Sequence, residues 1–314
     1  MRTMTQRIST TAVSFSDISI STVNPAKQLV SNVSGYVIRG GITAILGPTA
    51  SGKSLLMRAL SGRVHNMRIQ GDFFVEGQKV DCRKTSTPIS YVSQDDILIG
   101  DLSARETFYN NAAMKRNKPS HETDRDVKRL LDILGLAEVA DNFIGTVFKR
   151  GLSGGQKKRV EIGAELVAAP LVLFLDEPTS GLDAFIAYDV LKSIHTIAKA
   201  SSGKLSIVLS IHQPNSRILE LIDHIMVLGD GRMTFFGTVQ ESIEHMTAIG
   251  FPLPRDTTPT DYFLHVSDRN FLGQRGTDFA GITIRLDVFN FTTFETISAV
   301  IVIAVSLFHL RLLL

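Results

Sequence analysis

Three short segments of the chain are almost entirely apolar, and a polar or glycine-rich segment follows each of them. They cover residues 42–46, 171–175 and 205–211. Short apolar runs of this kind are typical of strands that are buried on both faces, as in parallel sheets. Open α/β sheets bind their ligands at the carboxyl ends of such strands. The pattern therefore predicts an α/β protein whose functional residues follow these three runs.

A second pattern, in which apolar and polar residues alternate, predicts further strands. It occurs at residues 13–20, 29–38 and 71–80. The segments 225–228 and 233–236 are also predicted to be strands. Turn residues separate the segments that would pair, Asn24-Pro25 in the N-terminal pair and Asp230-Gly231 in the C-terminal pair. An Asp-Gly turn between two such segments is typical of a β-hairpin.

Helical spacing of apolar residues begins at about residue 103 and continues to about 140. Ser103 and Glu106 have the spacing of a capping box at the start of this region. The apolar series comprises Val127, Leu130, Leu131 and Leu134, and Gly135 ends it. A helical region is therefore expected between two of the sheet strands.

A further helix is expected after Ser153, and another from Asp183 to about Ala200. The apolar positions of the first are Val160, Ala164, Val167 and Ala168. Its charged residues, Lys157, Lys158, Arg159 and Glu161, are expected on the opposite side.

The apolar run at 42–46 leads directly into the phosphate-loop pattern G-x-x-x-x-G-K-S, and a helix is expected over 55–60. The loop consists of Gly47, Pro48, Thr49, Ala50, Ser51, Gly52, Lys53 and Ser54. Its glycines allow the backbone to wrap closely around a phosphate. The Lys53 ammonium would reach the β- and γ-phosphates, and the Ser54 hydroxyl would bind Mg²⁺. The expected ligand is a nucleoside triphosphate with Mg²⁺.

Two carboxylates, Asp176 and Glu177, follow the apolar run at 171–175. One acid suits Mg²⁺, and the other suits polarising a water molecule. A second anion-binding device precedes the same run, where Ser153, Gly154 and Gly155 open a helix. A hydroxyl and bare backbone N–H groups at a helix N-terminus favour anions.

Taken in order, these motifs resemble an ABC-type ATPase over roughly residues 13–267, with the segment 151–183 similar to its signature motif, Walker B strand and D-loop. Four segments resemble the G subfamily of ABC transporters: Lys157-Lys-Arg-Val160, Glu177-Pro-Thr-Ser-Gly-Leu-Asp183, Ser210-Ile-His-Gln-Pro214 and Pro259-Thr-Asp-Tyr-Phe263. The resemblance implies a P-loop NTPase fold of ABC type. Such a fold has a RecA-like parallel sheet core, an antiparallel β layer and a helical subdomain, here at about 97–165.

The resemblance also implies catalytic roles. Gln94 matches the Q-loop position, which senses Mg²⁺ and the attacking water, and His212 matches the switch histidine that contacts the γ-phosphate. Glu177 would be the general base. The Mg²⁺ ligands would be Ser54, Gln94 and Asp176.

ABC ATP sites are shared between two domains, which implies a partner for this chain. The nucleotide held by the phosphate loop of one domain would be clamped by the signature motif of a second ABC ATPase domain. The residues that would contribute to a partner's site are Ser153, Gly154, Gly155, Gln156 and Asp183. A homodimer and a heterodimer both remain open.

Composition narrows the possible partners and compartments. The formal net charge of +2 argues against a preference for nucleic acid. A single cysteine, Cys82, excludes an internal disulfide framework and fits a reducing cytosol. The polar N-terminal segment 1–11 lacks the apolar core of a secretory signal.

The predicted organisation is an N-terminal tail over 1–12, an ATP-binding domain over 13–267 and an atypical tail over 268–314. The membrane domain of a G-type half-transporter does not fit into that tail. Residues 297–314 are mostly apolar, although a membrane span needs about 20 residues. This segment is either a single membrane anchor or an apolar tail that does not insert.

The predicted function is ATP hydrolysis that drives transport of a lipophilic substrate by a G-type ABC transporter. Its partners would be a second ABC ATPase domain and the membrane domain, which is expected to lie outside this chain. The location would be the cytoplasmic face of a membrane, or the soluble cytoplasm if the tail does not insert. Two alternatives are a truncated domain that does not transport, or that regulates intact transporters, and a soluble ABC ATPase.

Overall fold

A computed structural model describes residues 11–81, 88–95, 97–115, 120–146, 148–248, 252–254, 257–259 and 262. The strands are β1 (Thr11–Thr22), β2 (Gln28–Ile38), β3 (Ile42–Leu46), β4 (Met67–Val75), β5 (Gln78–Lys79), β6 (Ile89–Val92), β7 (Val172–Leu175), β8 (Ser206–Ser210), β9 (His224–Gly229) and β10 (Arg232–Gly237). The helices are α1 (Lys53–Leu60), α2 (Ala104–Lys115), α3 (Ser120–Ile133), α4 (Gly154–Leu166), α5 (Ala184–Ala200), α6 (Ser216–Leu219) and α7 (Val239–Ala248). A 3₁₀ turn, Ala137–Val139, follows α3.

A parallel sheet forms the centre of the fold, with the strand order β10-β9-β3-β8-β7-β6. The strands from β9 to β6 run parallel to their neighbours, and β10 closes the edge as the antiparallel arm of a hairpin. The three apolar runs form β3, β7 and β8, and every residue of these strands is buried. The predicted α/β class is confirmed. Parallel pairing brings the carboxyl ends of β3, β8, β7 and β6 to one edge.

A second sheet, antiparallel in the order β2-β1-β4-β5, covers part of the first. Phe15 and Ile20 of β1 are buried in one apolar cluster with Met57 of α1 and Leu228 of β9. This strand begins at Thr11, ahead of the domain boundary predicted at residue 13. The shared cluster joins the antiparallel layer to the parallel sheet around a common core.

Helices α2, α3 and α4 make up the helical region that the sequence predicts. Ser103 and Glu106 form the predicted capping box, since each backbone N–H donates to the side chain of the other residue. Helices α2 and α4 approach closely at Gly163, where a Cβ atom would lie 2.1 Å from Cζ of Phe108. Glycine is therefore required at this crossing.

The prediction for the charged face of α4 is wrong at two positions. Lys158 and Glu161 are buried, with 6% and 7% of their side chains exposed, and their Nζ and Oε2 atoms lie 2.7 Å apart. Lys157 and Arg159 are half-buried and donate to backbone carbonyls of Gly145 and Leu134. Charged residues fit inside here because α4 is packed by other segments on more than one side, which helical spacing alone does not reveal.

Several predictions lie outside the described residues. They concern Cys82, the terminal segments 1–10 and 263–314 with the apolar run 297–314, and most of the segment 259–263. Among the described helices, none combines the length and the apolar character that crossing a membrane requires.

Candidate active site

The phosphate loop connects β3 to α1 at the carboxyl edge of the parallel sheet. Gly47 leaves the strand against the backbone of β9, because a Cβ atom at Gly47 would lie 2.2 Å from the carbonyl oxygen of Leu228. Gly52 precedes α1 with φ 100°, a conformation that favours glycine. The two glycines that the motif requires are thus explained by close approach and by backbone conformation.

The Lys53 side chain lies inside the loop rather than on the surface. Its ammonium group donates to the carbonyl oxygens of Gly47, at 2.7 Å, and Pro48, at 2.9 Å, and the residue is 5% exposed. Burial lowers the pKa of the Lys53 ammonium, and the carboxylates of Glu177 and Asp176 oppose that shift. The loop therefore holds a cation where a phosphate would bind.

Ala50 occupies the turn of the phosphate loop in the left-handed region, with φ 63°. A side chain with a Cβ atom costs about 1–2 kcal/mol there relative to glycine.

Ala50→Gly is expected to raise the free energy of unfolding by up to about 1 kcal/mol, because relief of the strain exceeds glycine's entropic cost of about 0.5–1 kcal/mol. Urea unfolding measures the change. Ala113→Gly is the matched control at an exposed position of α2, where glycine should lower the free energy by about 1 kcal/mol. A similar loss in both variants would show that Ala50 is unstrained.

Asp176, at the end of β7, is the most heavily hydrogen-bonded acid of the site. Its Oδ1 accepts from the hydroxyls of Ser54 at 2.9 Å and Ser210 at 2.7 Å, and its Oδ2 accepts from Tyr91 at 2.7 Å. The residue is 1% exposed. Hydroxyl and carboxylate oxygens are the ligands that Mg²⁺ prefers, so the Ser54–Asp176 pair fits the ion.

Tyr91 and Ser210 are functional candidates that the sequence interpretation missed. Burial raises the pKa of the Tyr91 hydroxyl to about 12, while its hydrogen bond from Arg58 opposes the shift. The hydroxyl therefore stays protonated and donates to Asp176 at neutral pH. The sequence feature that could have indicated these two residues is a hydroxyl group within a buried strand, because a buried hydroxyl needs a hydrogen-bond partner.

Tyr91→Phe should lower the free energy of unfolding by about 1–3 kcal/mol, since Oδ2 of Asp176 loses a buried donor. Thermal and urea unfolding would measure this loss. Tyr188→Phe serves as the control, because that half-buried hydroxyl makes no hydrogen bond with the described residues. Equal stability of the two variants would contradict the assigned role of the Tyr91 hydroxyl.

Glu177 follows Asp176 with φ 45°, a conformation that is uncommon for a residue with a side chain. Its backbone N–H donates to Ser210 Oγ at 2.8 Å, which holds the turn. Its Oε2 accepts from Nε2 of Gln94 at 3.0 Å. The structure thus brings Gln94 at the end of β6 next to Glu177 at the end of β7, as the parallel order of the strands requires.

His212, after β8, reaches the phosphate loop. Its Nε2 lies 2.7 Å from Oγ1 of Thr49, and both residues are exposed. The phosphate loop, Gln94, the two carboxylates and His212 therefore converge on one edge of the sheet.

The predicted signature residues form a second, separate cluster. Ser153 caps α4 and forms a capping box with Gln156. Gly155 lies so close to α5 that a Cβ atom would come within 2.4 Å of Ile186, and the Asp183 carboxylate caps α5. Ser153, Gly154 and Asp183 are exposed. Within the described part of the chain, no hydrogen bond joins residues 153–156 to the phosphate loop.

Comparison with known proteins assigns the family. The family model described as ABC transporter matches residues 30–180. The chain is 36% identical over 257 residues to ABC transporter G family member 1 of Dictyostelium discoideum. It is 38% identical over 244 residues to the broad substrate specificity ATP-binding cassette transporter ABCG2 of Rattus norvegicus. The chain belongs to the ABC transporter ATPases. Its recognised relatives are of the G family, as the sequence motifs indicated.

The alignments match this ABC ATPase to one part of longer relatives. They cover 81% and 76% of the chain but 32% and 36% of these two relatives, so the chain spans about a third of their length. Among solved structures, cbiO1 from Clostridium perfringens, part of the ABC transporter complex cbiONQ, is similar with a TM-score of 0.64. It is 25% identical, and the match covers 76% of this chain and 93% of that one. The ABC-type P-loop fold is confirmed, and nucleotide binding follows from the family.

Proposed function

We propose that this chain binds ATP with Mg²⁺ and hydrolyses it to drive transport by a G-type ABC transporter. The observation that carries the proposal is the convergence of three groups at one sheet edge. They are the buried Lys53 ammonium, the Ser54–Asp176 pair and the Gln94–Glu177 pair. A phosphate cradle, a metal-binding pair and a general base are the parts that phosphoryl transfer to water requires.

Each residue has a proposed role that its position supports. The loop backbone from Gly47 to Gly52 and the Lys53 ammonium would hold the β- and γ-phosphates, while Ser54, Gln94 and Asp176 would hold the metal. Mg²⁺, when bound, would neutralise phosphate charge. Glu177 would accept a proton from the attacking water, and the Gln94 amide would orient the Glu177 carboxylate. His212 would contact the γ-phosphate beside Thr49.

A second ABC ATPase domain is proposed to complete the site. The N-terminus of α4 would bind an anion, because a helix N-terminus favours negative charge and Ser153 and Gly154 are exposed there. Together with Gly155, Gln156 and Asp183, it would clamp the nucleotide bound by the phosphate loop of the partner. The two clusters of one chain would then serve two different nucleotides.

The membrane domain of the transporter is proposed to dock beside Gln94. Ile97 is 79% exposed, Phe148 is 97% exposed, and Ile99 between them in the chain is exposed as well. The backbone N–H of Gly145 donates to the carbonyl of Gly100 at 2.8 Å, which brings these two loops together. Exposed apolar side chains in one region are typical of an interaction surface.

The proposal is tested by phosphate release from ATP and Mg²⁺ in the purified chain. Lys53→Ala should abolish the release, whereas Lys204→Ala, at an exposed lysine far along the chain, should leave it unchanged. If the wild type releases no more phosphate than Lys53→Ala, alone and mixed with an intact G-type transporter, the chain is not an ATPase. A non-transporting or regulatory domain would then be the better assignment.

Location at the membrane depends on a segment outside the described residues. If residues 297–314 anchor the chain, deletion of 270–314 should move expressed protein from the membrane pellet to the soluble fraction. The proposed anchor would be excluded if the undeleted chain is already soluble and monodisperse without detergent.

A further inference from the structure

A buried ion pair lies on the side of α4 that faces the Gln94 segment. Lys158 and Glu161 occupy neighbouring positions on one face of the helix, and their charged atoms are 2.7 Å apart. Both side chains are more than nine-tenths buried. Burial of two charges is unfavourable unless further hydrogen bonds satisfy them.

The pair forms hydrogen bonds to the backbone at two positions of the segment that carries Gln94. Lys158 Nζ donates to the carbonyl oxygen of Gln94 at 3.3 Å. Glu161 Oε1 accepts from the backbone N–H of Ile97 at 2.9 Å. The Lys158 ammonium thus binds a backbone carbonyl, and the Glu161 carboxylate binds a backbone N–H group. Exchanging the two charges would place each of them against a backbone group that it cannot bind.

The same short segment ends in the catalytic cluster. The side chain of Gln94, whose carbonyl is bound by Lys158, donates to Oε2 of Glu177 at 3.0 Å. A shift of the Gln94 backbone would therefore change the environment of the Glu177 carboxylate directly. Displacements of about 1 Å at a catalytic group can change a rate by about 10².

The N-terminal end of α4 is the proposed contact with the second domain. The helix begins next to Ser153 and rises about 1.5 Å per residue, so Lys158 lies about 7 Å along the axis from that cap. A helix transmits displacement as a rigid element over so short a distance. Whatever moves the N-terminus of α4 therefore moves the ion pair as well.

We propose that Lys158 and Glu161 are positioning residues that fix Gln94 beside Glu177 and make its position depend on contact at the N-terminus of α4. This inference rests on the proposed function, since it assigns the pair to the communication between the two ATP sites of a dimer. Stability alone does not account for the pair, because replacing buried ion pairs by apolar residues is often neutral or stabilising.

The test uses the double variant Lys158→Met/Glu161→Leu, which removes both charges and both backbone contacts together. Hydrogen exchange in a peptide covering residues 92–100 should become about tenfold faster. The kcat for ATP should fall by about ten- to a hundredfold with little change in KM. The matched control is Lys115→Gln/Glu165→Gln, which breaks the more exposed pair between α2 and α4. It should change neither readout.

A charge-reversed variant, Lys158→Glu/Glu161→Lys, separates the ion pair from its backbone contacts. It retains two opposite charges but presents a carboxylate to the Gln94 carbonyl and an ammonium to the Ile97 N–H. Positioning requires this variant to show fast exchange and low kcat as well. If the charge-reversed variant instead has the exchange rate and kcat of the wild type, the proposal is overturned. The contribution of the pair would then be the attraction between its two charges and not its hydrogen bonds to the backbone.

Dimer contact provides the decisive comparison. In a Glu177→Gln background, ATP and Mg²⁺ should slow exchange in the 92–100 peptide of the otherwise unchanged chain, and Lys158→Met/Glu161→Leu should remove that response. If the double variant does not fold, Glu161→Gln replaces it. The glutamine amide oxygen can still accept from the backbone N–H of Ile97, although the negative charge is lost. Its exchange rate is expected to lie between that of the wild type and the roughly tenfold faster rate expected for the double variant. If every folded variant shows the wild-type rate of hydrogen exchange in the 92–100 peptide, the inference is overturned. If the wild type does not hydrolyse ATP but its exchange rate still differs from that of the variants, only the proposed function is overturned.

Discussion

The Glu177→Gln protein is expected to bind ATP as the wild type does, while its hydrolysis rate falls by about 10²–10⁴, the usual contribution of a general base. The substitution removes the basic carboxylate and little else. The new amide oxygen still accepts a hydrogen bond from Nε2 of Gln94, which lies 3.0 Å from Oε2 in the wild type. The neighbouring Asp176, with its three hydroxyl donors, is left intact.

Nucleotide affinity and steady-state phosphate release would be measured on the same preparation. Glu220→Gln, which changes an exposed glutamate after α6, controls for the loss of one negative charge. Turnover of the Glu177→Gln protein within a few-fold of the wild type would exclude Glu177 as the base. A loss of ATP binding would instead indicate that the carboxylate supports the phosphate loop.

ATP-dependent dimerisation of the Glu177→Gln protein is the second large effect that we expect. Without hydrolysis, ATP and Mg²⁺ should hold two chains together, and light scattering should show the dimer mass. Adding Ser153→Arg should abolish the dimer, because the exposed cap of α4 would carry a long cationic side chain where the partner's nucleotide is proposed to lie. The monomer should remain folded, since loss of an N-cap costs about 1 kcal/mol.

Ser216→Arg, at an exposed serine of α6, is the control for added bulk and charge. It should dimerise as the Glu177→Gln protein does. A Glu177→Gln protein that stays monomeric at high concentration with saturating ATP would contradict the shared site. Dimerisation that survives Ser153→Arg would place the contact elsewhere.

Local sequence was sufficient for the strands and for the loop that define this site. The runs at 42–46 and 171–175 are apolar except for Thr43 because parallel strands are covered on both faces, and the chemistry must therefore begin where each run ends. The phosphate loop is equally local, since its glycines, lysine and serine all lie within residues 47–54. The structure places both features where the sequence predicted them.

Features that depend on neighbouring segments could not be predicted in the same way. Lys158 and Glu161 have the spacing of a solvated helix face, and they are buried because segments distant in sequence, including the Gln94 segment, pack against α4. Tyr91 is an ordinary strand residue until β6 pairs with β7 and sets it beside Asp176. The order of strands in a sheet depends on pairing between segments that are distant in sequence. The charge or aromatic character of a single residue therefore does not predict which strand will lie beside it.

The sheet order also has a consequence for the folding of this chain. The hydrogen bond between Ser54 and Asp176 closes a separation of 122 residues, and the contact between Thr49 and His212 closes one of 163 residues. Contacts of such long range form late and slowly, because chain entropy is lost before they are made. During synthesis the cluster cannot assemble until the ribosome has released the chain beyond His212. Since ligands that bind the native state stabilise it, nucleotide would then act on the last step of maturation and favour completely folded chains over partly folded ones.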